Sequence, residues 1–312
     1  LRRSKTVSDL LLSTAIGNYG HTRPLKDGTL TSPRFDLEHI EISPVPMIFR
    51  RMVRELEFDV AELALSTYLC AREHGKAFTG LPIMLTRAFY HGGIAVNAKS
   101  GIESPEDLAG RRVGVRSYTF TPGVWTRGIL QTAYGLDLES VNWVITGDEH
   151  VAEYEAPSHV EYVDNSDLAG QLVSGEIDAA IGAGPIDSPE VRPLFTDPAG
   201  SDANWFNESG IYPISHTLVV KNEQLEANPW LAEELYSLFE QAKAPFIEQL
   251  NSGATLSGED ANIQNMARIV GSDPLPFGLE SSRKTVDTMI QFALDQQIIR
   301  EPVTADEAFP II

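Results

Sequence analysis

The sequence predicts an α/β fold laid out as two blocks. Three observations carry this. Short apolar, β-prone runs alternate with helical patterns from end to end, as expected for helices layered on mostly parallel sheets. A second such series begins near residue 112, and the chain then crosses back near 212–220 into a long amphipathic helix. At 312 residues, with 42% hydrophobic and 22% charged side chains, the chain is long enough for two domains of ordinary globular composition.

Taken in order, residues 10–16 and 37–42 read as strands, followed by a helix over 47–56 and a strand over 59–65. A helix near 68–74 precedes strands at 83–86 and 94–96. Ser104-Pro105-Glu106-Asp107 then supplies an N-cap, an N1 proline and first-turn acids for a short helix. The second block runs strand 112–115, helix 123–134, strands 141–145 and 160–163, helix 167–174 and strand 179–181. A strand over 217–220 precedes Asn228-Pro229, another N-cap and N1 proline, and Leu231, Leu235, Leu238 and Ala242 recur at helical spacing beyond it. Thr304-Ala305-Asp306-Glu307 has capping-box spacing. There is no internal repeat and no low-complexity tract.

A formal charge of −20, from 24 basic and 44 acidic side chains, argues against nucleic-acid binding, which needs clustered cations to displace counterions from phosphates. The single cysteine, Cys70, excludes an internal disulfide framework and reads as a buried thiol. No apolar run approaches the roughly 20 residues that cross a bilayer, so no membrane insertion is expected. The basic start Leu1-Arg2-Arg3-Ser4-Lys5 does not continue into a signal-peptide core, which points to a cytoplasmic protein; a leader removed before Leu1 would make it periplasmic.

Against this acidic background Gly114–Arg127 stands out. A strand end, a loop rich in hydroxyls and a helix carrying a second arginine can converge backbone N–H groups, Thr119 and the guanidinium groups of Arg116 and Arg127 on one carboxylate. The same spacing also fits a plainer arrangement, with Thr119 or Thr121 capping the helix and Arg127 on a solvated face.

A first unit built from residues 1–110 and 214–312, with 111–213 inserted, resembles the two-lobed type II periplasmic-binding-protein architecture, which holds its ligand in a cleft between lobes. More specifically, the chain resembles the 4,5-dihydroxyphthalate decarboxylase family over nearly its whole length. Thr22-Arg23-Pro24-Leu25, Arg87-Ala88-Phe89 with His91, Val124-Trp125, and Tyr212-Pro213-Ile214 with His216 carry that likeness most specifically. Ser104–Gly110 and Gly175-Glu176-Ile177-Asp178 recur in many solute-binding proteins and speak for the fold. The chain departs from the family at Gly20-His21-Thr22-Arg23, at Tyr90, where a basic residue is usual, and at Gly92-Gly93, where extra space would alter the substrate.

The resemblance implies a carboxy-lyase for a hydroxylated, phthalate-like aromatic acid. Protonation of the ring carbon that bears the carboxylate makes the ring the electron sink, so the expectation is no cofactor and no metal. His91 and His216 are the candidates for proton transfer, since imidazole titrates near neutrality; the plainer reading of His216 is a hydrogen bond that fixes the crossover. Arg23, Arg116 and Arg127 are candidate carboxylate holders. Ser66 and Tyr68 follow a strand and could donate to carboxylate or phenol, or cap a helix. Trp125 could stack on a ring or pack in the core, and Glu149 could accept a phenolic proton. His21 is a weaker candidate, and His39, His74, His150 and His159 are assigned to solvated or structural places. The partner is then a small aromatic carboxylate, with a homo-oligomer left open. The alternative is a solute-binding protein that hands an aromatic or dicarboxylic anion to a transporter permease.

Overall fold

A computed structural model describes residues 10–271 and 273–311, so the basic start at 1–5 lies outside the described residues. From the amino end come β1 (Leu11–Ala15), the single-turn α1 (Arg23–Lys26), β2 (Asp36–His39), α2 (Pro46–Glu55), β3 (Val60–Ala64), α3 (Leu65–Glu73) and β4 (Phe78–Arg87). A second run follows as β5 (Ile94–Asn97), β6 (Arg112–Val115), α4 (Thr121–Tyr134), β7 (Asn142–Ile145), β8 (Glu161–Tyr162), α5 (Leu168–Ser174), β9 (Ala179–Ile181), β10 (Val191–Pro193) and α6 (Pro198–Ser209). The chain returns through β11 (Ile214–Lys221) and finishes in α7 (Asn222–Ala227), α8 (Leu231–Asn251), α9 (Gly258–Val270), α10 (Leu279–Asp295) and α11 (Ala305–Ala308).

The strands form two sheets, one in each of two lobes. The first has the order β2-β1-β3-β11-β4 and the second β10-β5-β9-β6-β7-β8. Parallel pairing holds for β1 with β2 and β3, and for β6 with β7 and β9. Both sheets are nevertheless mixed. The strand that returns from the other lobe, β11, runs antiparallel to β3 and β4, and β5 runs antiparallel to β9 and β10. That pairing corrects the boundary expected after residue 110, because Ile94–Asn97 belongs to the second sheet.

All five residues of β3 are buried, so this strand is covered on both faces. On one side α8 packs Leu231, Leu235, Leu238 and Phe239 against Leu12, Val60, Leu81 and Leu218. Each such side chain, fully buried, contributes about 2 kcal/mol of hydrophobic stabilisation. On the other side α2 and α3 bring Phe49, Met52, Leu65 and Leu69 into the cluster that continues through Trp125 and Trp143 of the second lobe. Among the described residues no helix is long and apolar enough to cross a membrane.

Two short segments cross between the lobes side by side. The N–H of Ala88 donates to the Pro213 carbonyl at 3.2 Å, Arg87 donates to the Tyr212 carbonyl at 2.9 Å, and the Tyr90 and Ser215 hydroxyls lie 2.6 Å apart. Tyr90 thus ties the crossing together. Gly92 and Gly93 follow it in a short turn where Gly92 faces Pro198 of α6, so the space expected there opens toward that helix.

Candidate active site

The register of the first sheet builds the site. His216 of β11 pairs with Ala64 at the end of β3, and Leu218 pairs with Glu62. Side chains two apart on a strand share a face, so His216 and Glu62 are diagonal neighbours across the ladder. Their contact is short, with His216 Nδ1 2.6 Å from Glu62 Oε1. The Glu62 side chain is wholly buried, while that of His216 keeps 21% of its surface exposed.

A buried carboxylate survives only when its oxygens are satisfied. Besides His216, Glu62 accepts from the Gly17 N–H at 2.7 Å and from the Tyr19 hydroxyl at 2.7 Å. Both donors lie in the loop after β1. Gly17 is needed there, since a Cβ would sit 2.3 Å from the Tyr19 ring. Burial alone would raise the Glu62 carboxyl, but the His216 contact and charge, with the two donors, outweigh it and hold the group below the usual carboxylate range. Glu62 therefore stays ionised. With Nδ1 of His216 turned to Glu62, Nε2 is the nitrogen left for a ligand.

The second lobe faces this pair through two loops. Glu149 accepts from the N–H groups of Tyr118 (2.5 Å) and Thr119 (3.1 Å) and from the Thr119 hydroxyl (2.5 Å), which knits the loop after β7 to the loop after β6. That sets Arg116 and His150 close together. Arg116 is half-buried with its guanidinium 4.2 Å from the centre of the Phe120 ring, and among the described residues it has neither an ion pair nor a hydrogen bond. His150 reaches back to the first lobe. Its Nδ1 lies 3.5 Å from the Thr67 hydroxyl, and its ring meets the edge of Phe49 at 5.8 Å, while Phe49 meets His216 at 4.8 Å. Burial first, and then the charges of Arg116, Arg50, Arg54 and His216, push His150 down to about 4. Arg116 and His216 thus both act electrically on His150.

The lobes meet in a hydrogen-bonded seam. Ser66, in the first turn of α3, donates from its hydroxyl to the Thr119 carbonyl at 2.5 Å and lies 2.6 Å from the Thr121 hydroxyl, which also takes the Ser66 N–H at 3.2 Å. Arg50 pairs with Asp148 at 3.2 Å, and Arg54 donates to the Glu149 carbonyl at 2.7 Å. Both α3 and α4 start at this seam without a side-chain cap, so their positive ends face it.

The other residues singled out from sequence have different surroundings. Trp125 is fully buried, donates to the Ile214 carbonyl at 2.9 Å and packs on Phe292. Tyr68 lies in the core between Phe78 and Phe309 with its hydroxyl on the Ala308 carbonyl. Arg127 is not solvated; it is fully buried behind the Tyr118–Thr119 loop, between the Tyr118 and Trp143 rings, and bonded to Gln296 and the Tyr118 carbonyl. Neither Thr119 nor Thr121 caps α4, whose N-cap is Phe120. Arg23 is 53% exposed and pairs with Asp260 of α9 at 3.1 Å. His91 is not brought to His216. It is buried against Asp202 of α6 at 2.6 Å, among Tyr134, Phe195 and Trp205. Of the predicted residues, His216 and Arg116 each act on His150, and Ser66, Thr119 and Glu149 fix the loops beside them.

Sequence reasoning missed Glu62, Tyr19 and His150. A signal existed for Glu62, an acid in the apolar run Val60-Ala61-Glu62-Leu63-Ala64-Leu65, where a strand buried on both faces has no room for an unpaired charge. Tyr19 and His150 gave none, since their places depend on loops.

Comparison with known proteins bears on the family and the fold. Residues 39–203 match the family described as "ABC transporter, phosphonate, periplasmic substrate-binding protein". A 4,5-dihydroxyphthalate decarboxylase of Comamonas testosteroni is 32% identical over 308 residues, covering 91% of each chain. One of Pseudomonas putida is 36% identical over 219 residues, covering 64% of this chain and 83% of its own. Among solved structures, the alkanesulfonate-binding protein SsuA of Xanthomonas axonopodis pv. citri superposes with a TM-score of 0.55 at 12% identity, covering 97% of this chain and 99% of its own. The desulfurization enzyme DSZB gives 0.53 at 18% identity, covering 96% of both. These two show a shared fold, and the sequence relatives show the family: the chain belongs to the 4,5-dihydroxyphthalate decarboxylases, built on the two-lobed periplasmic-binding-protein fold.

Proposed function

We propose that this chain is a carboxy-lyase that removes one carboxylate from a dihydroxylated phthalate, as its relatives' names describe for them. The observation that carries the proposal is the buried, ionised Glu62 holding Nδ1 of His216 at 2.6 Å while Nε2 is left free. A carboxylate behind the histidine fixes the ring whether the site binds or reacts, and the sequence relatives named as decarboxylases favour reaction. A site that passes a proton gains a stabilised imidazolium and a fixed ring.

In this scheme Arg116, with the starts of α3 and α4, receives the substrate dianion. Nε2 of the His216 imidazolium gives its proton to the ring carbon that carries the leaving carboxylate. A C–H bond forms from the ring's π electrons, and the hydroxyl para to that carbon shares the positive charge. The bond to the carboxylate then breaks, its electrons restore the aromatic ring, and CO2 departs. From 4,5-dihydroxyphthalate the product is 3,4-dihydroxybenzoate. One proton from solvent recharges His216, so the sum is substrate plus a proton giving product plus CO2. Proton transfer of this kind contributes roughly 100- to 10,000-fold in rate. A cytoplasmic location goes with the enzyme, a periplasmic one with an anion carrier.

The test is incubation of the purified protein with 4,5-dihydroxyphthalate, with CO2 and product followed by chromatography. Release of one CO2 per dihydroxybenzoate is the expected result. Binding without turnover would instead favour the solute carrier that the matched family description suggests.

A further inference from the structure

We infer that His150 reads a ring hydroxyl of the substrate and sets the preference for dihydroxylated over plain phthalates. The inference rests on the carboxy-lyase proposal for the class of ligand, but its evidence lies in the second lobe. His150 is held from the backbone, since Arg54 donates to its carbonyl at 3.2 Å and to that of Glu149 at 2.7 Å, and Arg50 pins Asp148 at 3.2 Å. Its ring is thereby placed without using its nitrogens. Nδ1 has only the long 3.5 Å contact to Thr67, and no hydrogen bond engages Nε2 among the described residues.

The chemistry of those nitrogens follows from what surrounds them. Burial first, and then Arg116, Arg50, Arg54 and His216, disfavour a proton on His150, so the ring is neutral and offers one donor and one acceptor. A neutral imidazole is a poor holder of carboxylate and a good partner for a phenol, which can give and take a hydrogen bond. Position agrees with this division. Arg116 supplies the cation, His216 stands on the opposite lobe, and Phe49 meets both imidazoles edge-on. For His150 to read the hydroxyl, a ring with a carboxylate at Arg116 must lie within hydrogen-bond reach of the His150 nitrogens.

The experiment is calorimetric titration of the wild type and of His150→Phe with two ligands, 4,5-dihydroxyphthalate and phthalate. Phe keeps the ring and its packing on Phe49 but removes both nitrogens. The expected result is that the wild-type preference for the dihydroxylated ligand falls by about tenfold or more while phthalate affinity is kept. An unchanged preference, or equal loss of both ligands, overturns the inference, the latter showing that His150 only shapes the loop. His150→Asn, which restores a donor and an acceptor, should recover part of the preference, and it decides the matter if the Phe variant folds poorly. Because the readout is binding, a wild type that discriminates between the ligands but releases no CO2 would refute the lyase and leave His150 as the hydroxyl reader. A wild type that binds neither ligand would overturn both.

Discussion

At the residue scale the site depends on two imidazoles held in opposite ways. His216 shares its Nδ1 side with an ionised carboxylate, whereas His150 sits under three arginines. A third, His21, is buried between the rings of Tyr19 and Phe246. Burial above all pushes it from 6.5 to about 4, although Glu62 and Asp260 pull it up and Lys243 adds to the fall. Between these values the unfolded chain binds the proton and the folded one does not. Stability is therefore complete above 6.5 and declines as pH falls toward 4, by up to about 3 kcal/mol for this group. Replacing His21 with Phe should flatten that decline, as read from denaturant unfolding between neutrality and about pH 4.5; an unchanged slope would show that His21 does not titrate this way. Of these residues His216 was legible in the sequence, as an imidazole just after the returning Tyr212-Pro213-Ile214 segment. Its partner was not, because Glu62 meets it across a strand ladder from 154 positions away.

At the scale of elements, local chemistry was readable in part and long-range pairing was not: Asn228 closes α7, and α8 starts at Leu231 with Trp230 as its N-cap, so the cap and N1 proline expected at Asn228-Pro229 do not form. The capping boxes at Ser104 and Thr304 form as their spacing predicts. The start of α3 was misplaced because β3 runs into the helix at Leu65 with no loop between, leaving no turn residue to mark the change. The ten-residue β4 was seen only in part, because Pro82 breaks its apolar pattern. Helix α4 shows how packing reverses a propensity. Gly128 lies in its interior, where alanine ordinarily stabilises by about 1 kcal/mol. Here a Cβ would stand 2.1 Å from the ring of Phe292 on α10. Gly128→Ala should therefore lower the unfolding free energy by about 1–3 kcal/mol in denaturant titration, and a gain in stability would contradict the α4–α10 contact.

At the scale of the molecule, the two-lobed fold was the most legible feature, because strand–helix alternation with a late crossing back is spread over the whole chain. The site was less so, because it forms where loops of both lobes meet. The same fold serves SsuA, an alkanesulfonate-binding protein, and DSZB, a desulfurization enzyme, so architecture does not decide between holding a ligand and transforming it. What decides is the set of groups at the seam. In this protein of net charge −20, these include the half-buried Arg116, unpaired among the described residues, and the carboxylate-backed His216 of the other lobe.

The most direct test of that assignment is to measure, on one preparation of His216→Asn, both calorimetric affinity for 4,5-dihydroxyphthalate and the rate of CO2 release. Asparagine keeps a hydrogen bond to Glu62 but cannot carry the proton, so affinity should stay within a few-fold of wild type while CO2 release falls by roughly 100- to 10,000-fold. Turnover near the wild-type rate, or loss of binding in step with turnover, would contradict proton delivery by His216.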